Sequence, residues 1–113
     1  MKLFHYTRVE AQEVPEPGVG VKIRWLIDQD TGAENFAMRL FEMEPGGCTP
    51  NHTHHWEHEV FILSGTGVVT GEDGEKRFKP GDVVFVPSHE EHQFRNTGDE
   101  VAIFLCLIPI QEP

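Results

Sequence analysis

The sequence is short of positive charge. Nine lysines and arginines stand against nineteen aspartates and glutamates, for a formal charge of −10. Such a surface repels phosphate, which makes nucleic acid and anionic membranes poor partners. Cysteine is nearly missing as well. Cys48 and Cys106 are the only two, too few for a disulfide framework and enough for one bridge at most. No apolar run approaches the roughly 20 residues that a membrane-spanning helix needs. Met1-Lys2-Leu3-Phe4-His5 lacks the apolar core of a signal peptide, so the expected compartment is the cytoplasm. Repeats and low-complexity segments are absent, and no stretch carries a sustained helical period with caps at both ends.

What is present is alternation broken by turns. Eleven glycines and eight prolines are spread along 113 residues, a length that makes one domain with one core. Residues 1–20, with Val14-Pro15-Glu16-Pro17-Gly18, read as an arm that lies over the domain or pairs with a second subunit. Residues 21–113 form the domain. Strands are expected over 21–27 and 36–43, the second closed by Glu44-Pro45-Gly46-Gly47. Another, 58–63, turns at Ser64-Gly65 into 68–70, and Glu72-Asp73-Gly74-Glu75 is a hairpin signal. Strands over 83–86, 92–95 and 101–108 complete the chain. About eight short strands between turn signals indicate an all-β sandwich or barrel.

The chemistry is concentrated in Asn51-His52-Thr53-His54-His55-Trp56-Glu57-His58-Glu59, which holds four of the seven histidines. In an extended chain residues i and i+2 point the same way, so His52 and His54 aim together. His58 enters the apolar run 60–63, and His92 lies in a second framed stretch. Imidazoles delivered in parallel from strands give a transition metal a largely preorganised ligand set.

These stretches resemble the two motifs of cupins. The first motif runs Gly, five residues, His-x-His, three or four residues, Glu, six residues, Gly. Here His52-Thr53-His54 supplies the pair, and Gly47 stands one residue closer to it than the pattern asks. His58 stands where Glu is usual, followed at the motif's spacing by Gly65. The second motif is matched by Gly81, Pro87, His92 and Asn96, with His89 in place of the middle Gly. The resemblance implies a cupin jelly-roll β-barrel (double-stranded β-helix) and the metal ligands His52, His54, His58 and His92. Glu59 is the competing fourth ligand, because the family tolerates four residues before its Glu. The spacing to Gly65 and strand parity favour His58.

Asn35-Phe36-Ala37-Met38-Arg39-Leu40-Phe41 and Phe104-Leu105-Cys106-Leu107-Ile108-Pro109 extend the resemblance to small single-domain, four-histidine cupins that bind manganese. Manganese is thus the implied metal. Imidazole also suits iron, nickel, copper and zinc. Four neutral ligands leave a divalent ion its full charge, which attracts anionic or chelating oxygen compounds.

Alternation puts Val60 and Ile62 on the face of His58, and Phe94 on that of His92, as cavity walls. Cys106 shares a face with Phe104 and Ile108, and the resemblance puts that face near the metal. Its thiol is read as a small buried hydrophobe or as an oxidisable contact. Arg39 either holds an anionic substrate or snorkels to a rim carboxylate; the resemblance favours the pocket. His55 and His89 are expected to face solvent, as are Glu57, Glu59, Glu90 and Glu91, while His5 carries no signal and Trp56 packs beneath the histidine loop. The leading expectation is a manganese- or iron-dependent, dioxygenase-like oxidoreductase acting on a small organic substrate. A redox-neutral isomerase, lyase or cyclase is the first alternative, and a non-catalytic binding or sensing module the second. Family habit, the arm and apolar outer strands point to a homodimer.

Overall fold

The computed structural model describes residues 1–111. Nine strands follow one another: β1 Gln12–Glu13, β2 Val19–Ile27, β3 Phe36–Cys48, β4 His58–Ser64, β5 Gly67–Gly71, β6 Gly74–Phe78, β7 Val83–Val86, β8 Gln93–Asn96 and β9 Ala102–Pro109. Short 3-10 turns at Tyr6–Arg8 and Gln29–Thr31 are the helical elements among the described residues. None is long and apolar enough to cross a membrane. Cys48, half-buried, and Cys106, buried, are both free thiols.

Strand β3 is the hub of a jelly-roll barrel. Along Phe36–Met43 it pairs antiparallel with β2 on one edge and β9 on the other; β4 continues beyond β9, and β7 beyond β4. Its far end crosses to the second face, where Cys48 pairs with Arg95 of β8, followed by β5 and β6. Period-two burial fixes what points inward. On β4, His58, Val60 and Ile62 are buried, while Glu59, Phe61 and Leu63 face out. Met43, Ile62 and Phe104 are the largest fully buried side chains, each stabilising the fold by about 1.5–3 kcal/mol through removal from water.

Turn residues do not always end strands. The sequence reads β3 as closing before Glu44-Pro45-Gly46-Gly47, yet it continues to Cys48. Val19 pairs with Cys48 and Val21 with Met43, so four residues loop out opposite Gly20 alone. A broad bulge results, entered with positive φ at Gly20 (63°) and Gly46 (80°). Gly65 is needed for a different reason. Its φ is 82°, and a Cβ there would lie 2.5 Å from Ala102 Cα, so the β4–β5 turn accepts no side chain.

The arm follows β2. The Arg24 guanidinium sits 5.5 Å from the Tyr6 ring centroid and donates to the Val9 carbonyl. Gln12 then pairs with Ile23, and the Val14 N–H donates to Val21 O at 2.9 Å. Because β2 begins at Val19, the expected boundary at residue 20 falls inside this strand.

Candidate metal centre

Four histidines are gathered in two ways. His52 and His92 face each other across a two-bond antiparallel bridge, with N–H to carbonyl distances of 3.2 and 3.1 Å. Thr49 extends this pairing. Its N–H donates to Phe94 O, and its hydroxyl accepts from Phe94 N–H, both at 2.9 Å. His54 and His58 flank Trp56, whose ring stacks on His54 at 4.4 Å and 11°. The His54 carbonyl accepts from His89 N–H at 2.6 Å. His89 has φ 69°, a left-handed conformation costly for a residue with a Cβ. It occupies the position where the second cupin motif carries Gly. Asn96, the last residue of that motif, is structural. Its amide donates to Met43 O and Glu100 O and accepts from Gly98 N–H.

The imidazoles are close, and burial favours the neutral form of His52, His54 and His58. Ring centroids lie 4.3 Å apart for His52–His54, 4.7 Å for His58–His92, and 5.2 Å for both His52–His92 and His54–His58. Burial pushes His58 down to about 3, aided by neighbouring His92 and Arg39. Burial likewise brings His54 to about 4, with His52 and His92 next in weight. His52 is lowered by burial, then by His92 and Arg39. His92 Nδ1 lies 2.9 Å from the Glu90 carbonyl. A carbonyl only accepts, so that nitrogen carries the proton and Nε2 keeps its lone pair.

This donor set suits a divalent transition metal. His52 Nε2 and His54 Nε2 are 3.2 Å apart. Two nitrogens about 2.1 Å from one ion stand about 3.0 Å apart at a right angle and about 3.4 Å apart at the tetrahedral angle. His58 Nδ1 is buried without a hydrogen-bond partner, an arrangement that a ligand relieves. Among the described residues, no group of three or more His, Cys, Asp or Glu side chains is arranged so that it could already hold a metal ion. What is present is the cluster of rings, and imidazole does not select one metal. Glu59, the rival ligand, points to the outer face and borders a separate recess with Glu57 and Phe36.

The cluster opens onto a cavity of about 310 Å³. Of the expected pocket residues, Arg39, Phe94, Phe104 and Cys106 line it. Val60 and Ile62 do not: they share His58's face but are packed into the core at 2% and 0% exposure. Sharing a face decides that a side chain points inward, not that it meets empty space. Arg39 forms no ion pair among the described residues, contrary to the rim-carboxylate alternative. It donates to Cys106 Sγ at 2.9 Å. Burial raises the Cys106 pKa, against the opposing pull of Arg39, and keeps the thiol protonated at neutral pH.

Sequence reasoning missed Ile23, Trp25 and Phe41, which also line the cavity, and the arm residues 12–15 that form part of its wall. Alternation from Arg39 was enough to find Phe41; nothing local marks the arm. His55, His89, Glu57 and Glu59 are exposed as expected, and so is His5. Glu90 is half-buried and accepts from Glu72 N–H, and Glu91 accepts from Asn51. Trp56 is half-buried against the core.

Comparison with known proteins agrees with this architecture. The solved polyketide cyclase RemF from Streptomyces resistomycificus superposes with a TM-score of 0.92 at 36% identity, covering 100% of this chain and 82% of that one. A 1-methylthio-D-xylulose 5-phosphate methylsulfurylase from Rhodospirillum rubrum is 37% identical over 71 residues, 63% of this chain and 46% of its own length. An oxalate-binding protein from Thermotoga maritima is 38% identical over 74 residues, 62% of this chain and 61% of its own length. The chain thus spans less than two thirds of either of these two relatives. A glucose-6-phosphate isomerase from Thermococcus litoralis and an acireductone dioxygenase from Bacillus pumilus match 43% and 52% of this chain. The family model described as the cupin domain matches residues 39–108, and the chain belongs to the cupin family.

Proposed function

We propose that His52, His54, His58 and His92 hold a divalent metal ion, and that the cavity in front of it carries out a redox-neutral reaction of a small oxygenated organic molecule. The observation that carries this reading is the convergence of four imidazoles, with burial favouring the neutral form of His52, His54 and His58, on one cavity whose other walls are mainly apolar. Bound there, the ion supplies Lewis acidity that polarises a substrate oxygen. The chain's own residues orient. Phe41, Phe94 and Phe104 form one wall, Arg39 contributes a fixed charge, and Trp56 and the Glu90 carbonyl hold His54 and His92 in place.

Cyclase or isomerase chemistry takes precedence over the oxidation suggested by the motifs. A likeness that covers 100% of this chain is to a polyketide cyclase, whereas the dioxygenase matches about half of it. Dioxygenase-like oxidation is the second reading, supported by that partial match; a non-catalytic binding or sensing module is the third. Manganese is the proposed metal from the four-histidine resemblance, with iron, nickel, copper and zinc as alternatives. The cytoplasm is the proposed compartment, in keeping with two free thiols.

The test is elemental analysis with electron paramagnetic resonance on wild type, His58→Ala and Glu59→Ala. Near-stoichiometric metal in wild type and Glu59→Ala, lost in His58→Ala, is the expected result. Metal kept by His58→Ala and lost by Glu59→Ala overturns the ligand assignment. Turnover that persists without dioxygen separates the first reading from the second.

We also propose a homodimer through the outer face of β4 and β7. Phe61, Leu63, Val83 and Phe85 are 46%, 44%, 75% and 59% exposed there, on a sheet that ends at β7. Sedimentation equilibrium that gives a monomer would refute it.

A further inference from the structure

Arg39 is, among the described residues, a charge with no counter-charge. Among the described residues its single hydrogen-bond partner is the Cys106 thiol, a weak acceptor. Its Nε is buried and bonded to nothing. The guanidinium is held by rings instead, 5.4 Å from the Trp25 centroid and 5.0 Å from that of Phe41. Aromatic faces attract a cation without neutralising it as a carboxylate would. The histidines on the opposite wall carry no negative charge in either protonation state. Glu13 borders the cavity from the exposed arm but makes no ion pair with Arg39. A guanidinium held in this way keeps several planar donors for a ligand oxygen.

Beside it three rings stack on one another. Phe41 stacks on Phe104 at 5.1 Å and 13°, and Phe104 on Phe94 at 4.8 Å and 23°. Three nearly parallel rings thus run from beside Arg39 across the cavity wall towards β8. With their faces taken up by one another and by Arg39, these rings turn edges to the cavity, and ring edges favour the face of a π-system over a saturated ring of equal bulk.

We propose that the cavity takes a flat, conjugated anion, with Arg39 holding its charged oxygen and the Phe41–Phe104–Phe94 column carrying its ring. This names the substrate class for the function proposed above and rests on that reading for the metal alone.

Benzoate, benzamide and cyclohexanecarboxylate are the probes, titrated calorimetrically into metal-loaded and chelator-stripped protein. Benzoate is expected to bind both forms in the millimolar range or better. Benzamide should bind about tenfold more weakly for want of charge, and cyclohexanecarboxylate about threefold or more for want of a ring face. Arg39→Gln should lose about tenfold for benzoate and little for benzamide. Arg39→Lys, which keeps charge without the fork, should fall between.

Equal binding of benzoate and benzamide by wild type overturns the proposal even if Arg39→Gln does not fold. Equal binding of benzoate and cyclohexanecarboxylate, no benzoate binding, or benzoate affinity unchanged in Arg39→Gln also overturns it. Failure of the metal reading is separable: it shows as absent metal while stripped protein still binds benzoate through Arg39.

Discussion

Two rows of residues cross the inner face of the main sheet, and each changes character along its length. Trp25, Arg39, Cys106 and Val60 are successive cross-strand partners, as are Ile23, Phe41, Phe104 and Ile62. The members on β2, β3 and β9 border the cavity, whereas Val60 and Ile62 on β4 are sealed in the core. Bulk does not explain the contrast, since Trp25 and Phe41 are larger than Val60 and Ile62. What stands opposite does. The arm at 12–15 and the segment from Thr49 to His54 form the far wall of the hollow flank. The filled flank belongs to the apolar cluster that takes in Val69 and Phe78 from β5 and β6. A cavity here is opened by the course of the facing backbone rather than by small side chains.

The largest effect should come from truncation on the filled flank. Ile62→Ala leaves a void with no outlet and is expected to cost about 2–5 kcal/mol in urea unfolding. Ile23→Ala, in the same row, opens onto existing space and should cost less than half as much. Equal losses would dissolve the distinction between the flanks.

Of the two flanks, acid should act on the hollow one. His54 and His58 have pKa values well below the ordinary 6.5, so below that pH the unfolded chain binds more protons than the folded one. Their contribution is therefore complete above about pH 6.5 and is lost as pH falls towards 4 and 3. Metal-free protein should show a falling Tm over that window, and His54→Gln with His58→Gln should flatten the slope. An unchanged slope in that double variant would mean the burial of these rings has been misread.

Two smaller changes sharpen the boundary. His89→Gly at the rim removes the cost of a left-handed backbone, about 1–2 kcal/mol. The greater freedom of glycine in the unfolded chain returns part of it, so a net gain up to about 1 kcal/mol is expected in thermal melts. Glu59→Ala, on the outer face, should change stability by no more than about 0.5 kcal/mol and leave metal content as it was.

The strands were legible because alternation is local: His58, Val60 and Ile62 read as inward-facing from sequence, and they are. The histidine cluster was legible because His52-Thr53-His54 and His92 sit in spaced frames that carry their own turns. The hollow flank was not, since it depends on where the arm and the 49–54 segment pass, and neither course is encoded in the strand that faces it. Glu44-Pro45-Gly46-Gly47 misled for a related reason. Proline and glycine announce a departure from regular pairing, but only the partner strand decides whether the ladder resumes. Arg39's missing partner belongs to the same class, because an absent counter-charge is a property of the assembled barrel.

The excursion opposite Gly20 has a consequence for the length of the chain. Ladder pairing resumes at Cys48 whatever the loop does, and Gly46 points into open space with nothing within 4 Å of an added Cβ. Residues can therefore be gained or lost between Met43 and Cys48 without re-indexing Thr49, His52 or their partners on β8. Such slack has not been drawn on here, since Gly46 keeps the family's five residues before His52. It makes this loop the natural port for an inserted epitope or dye, placed on a strand that carries the site yet outside the stretch that shapes it.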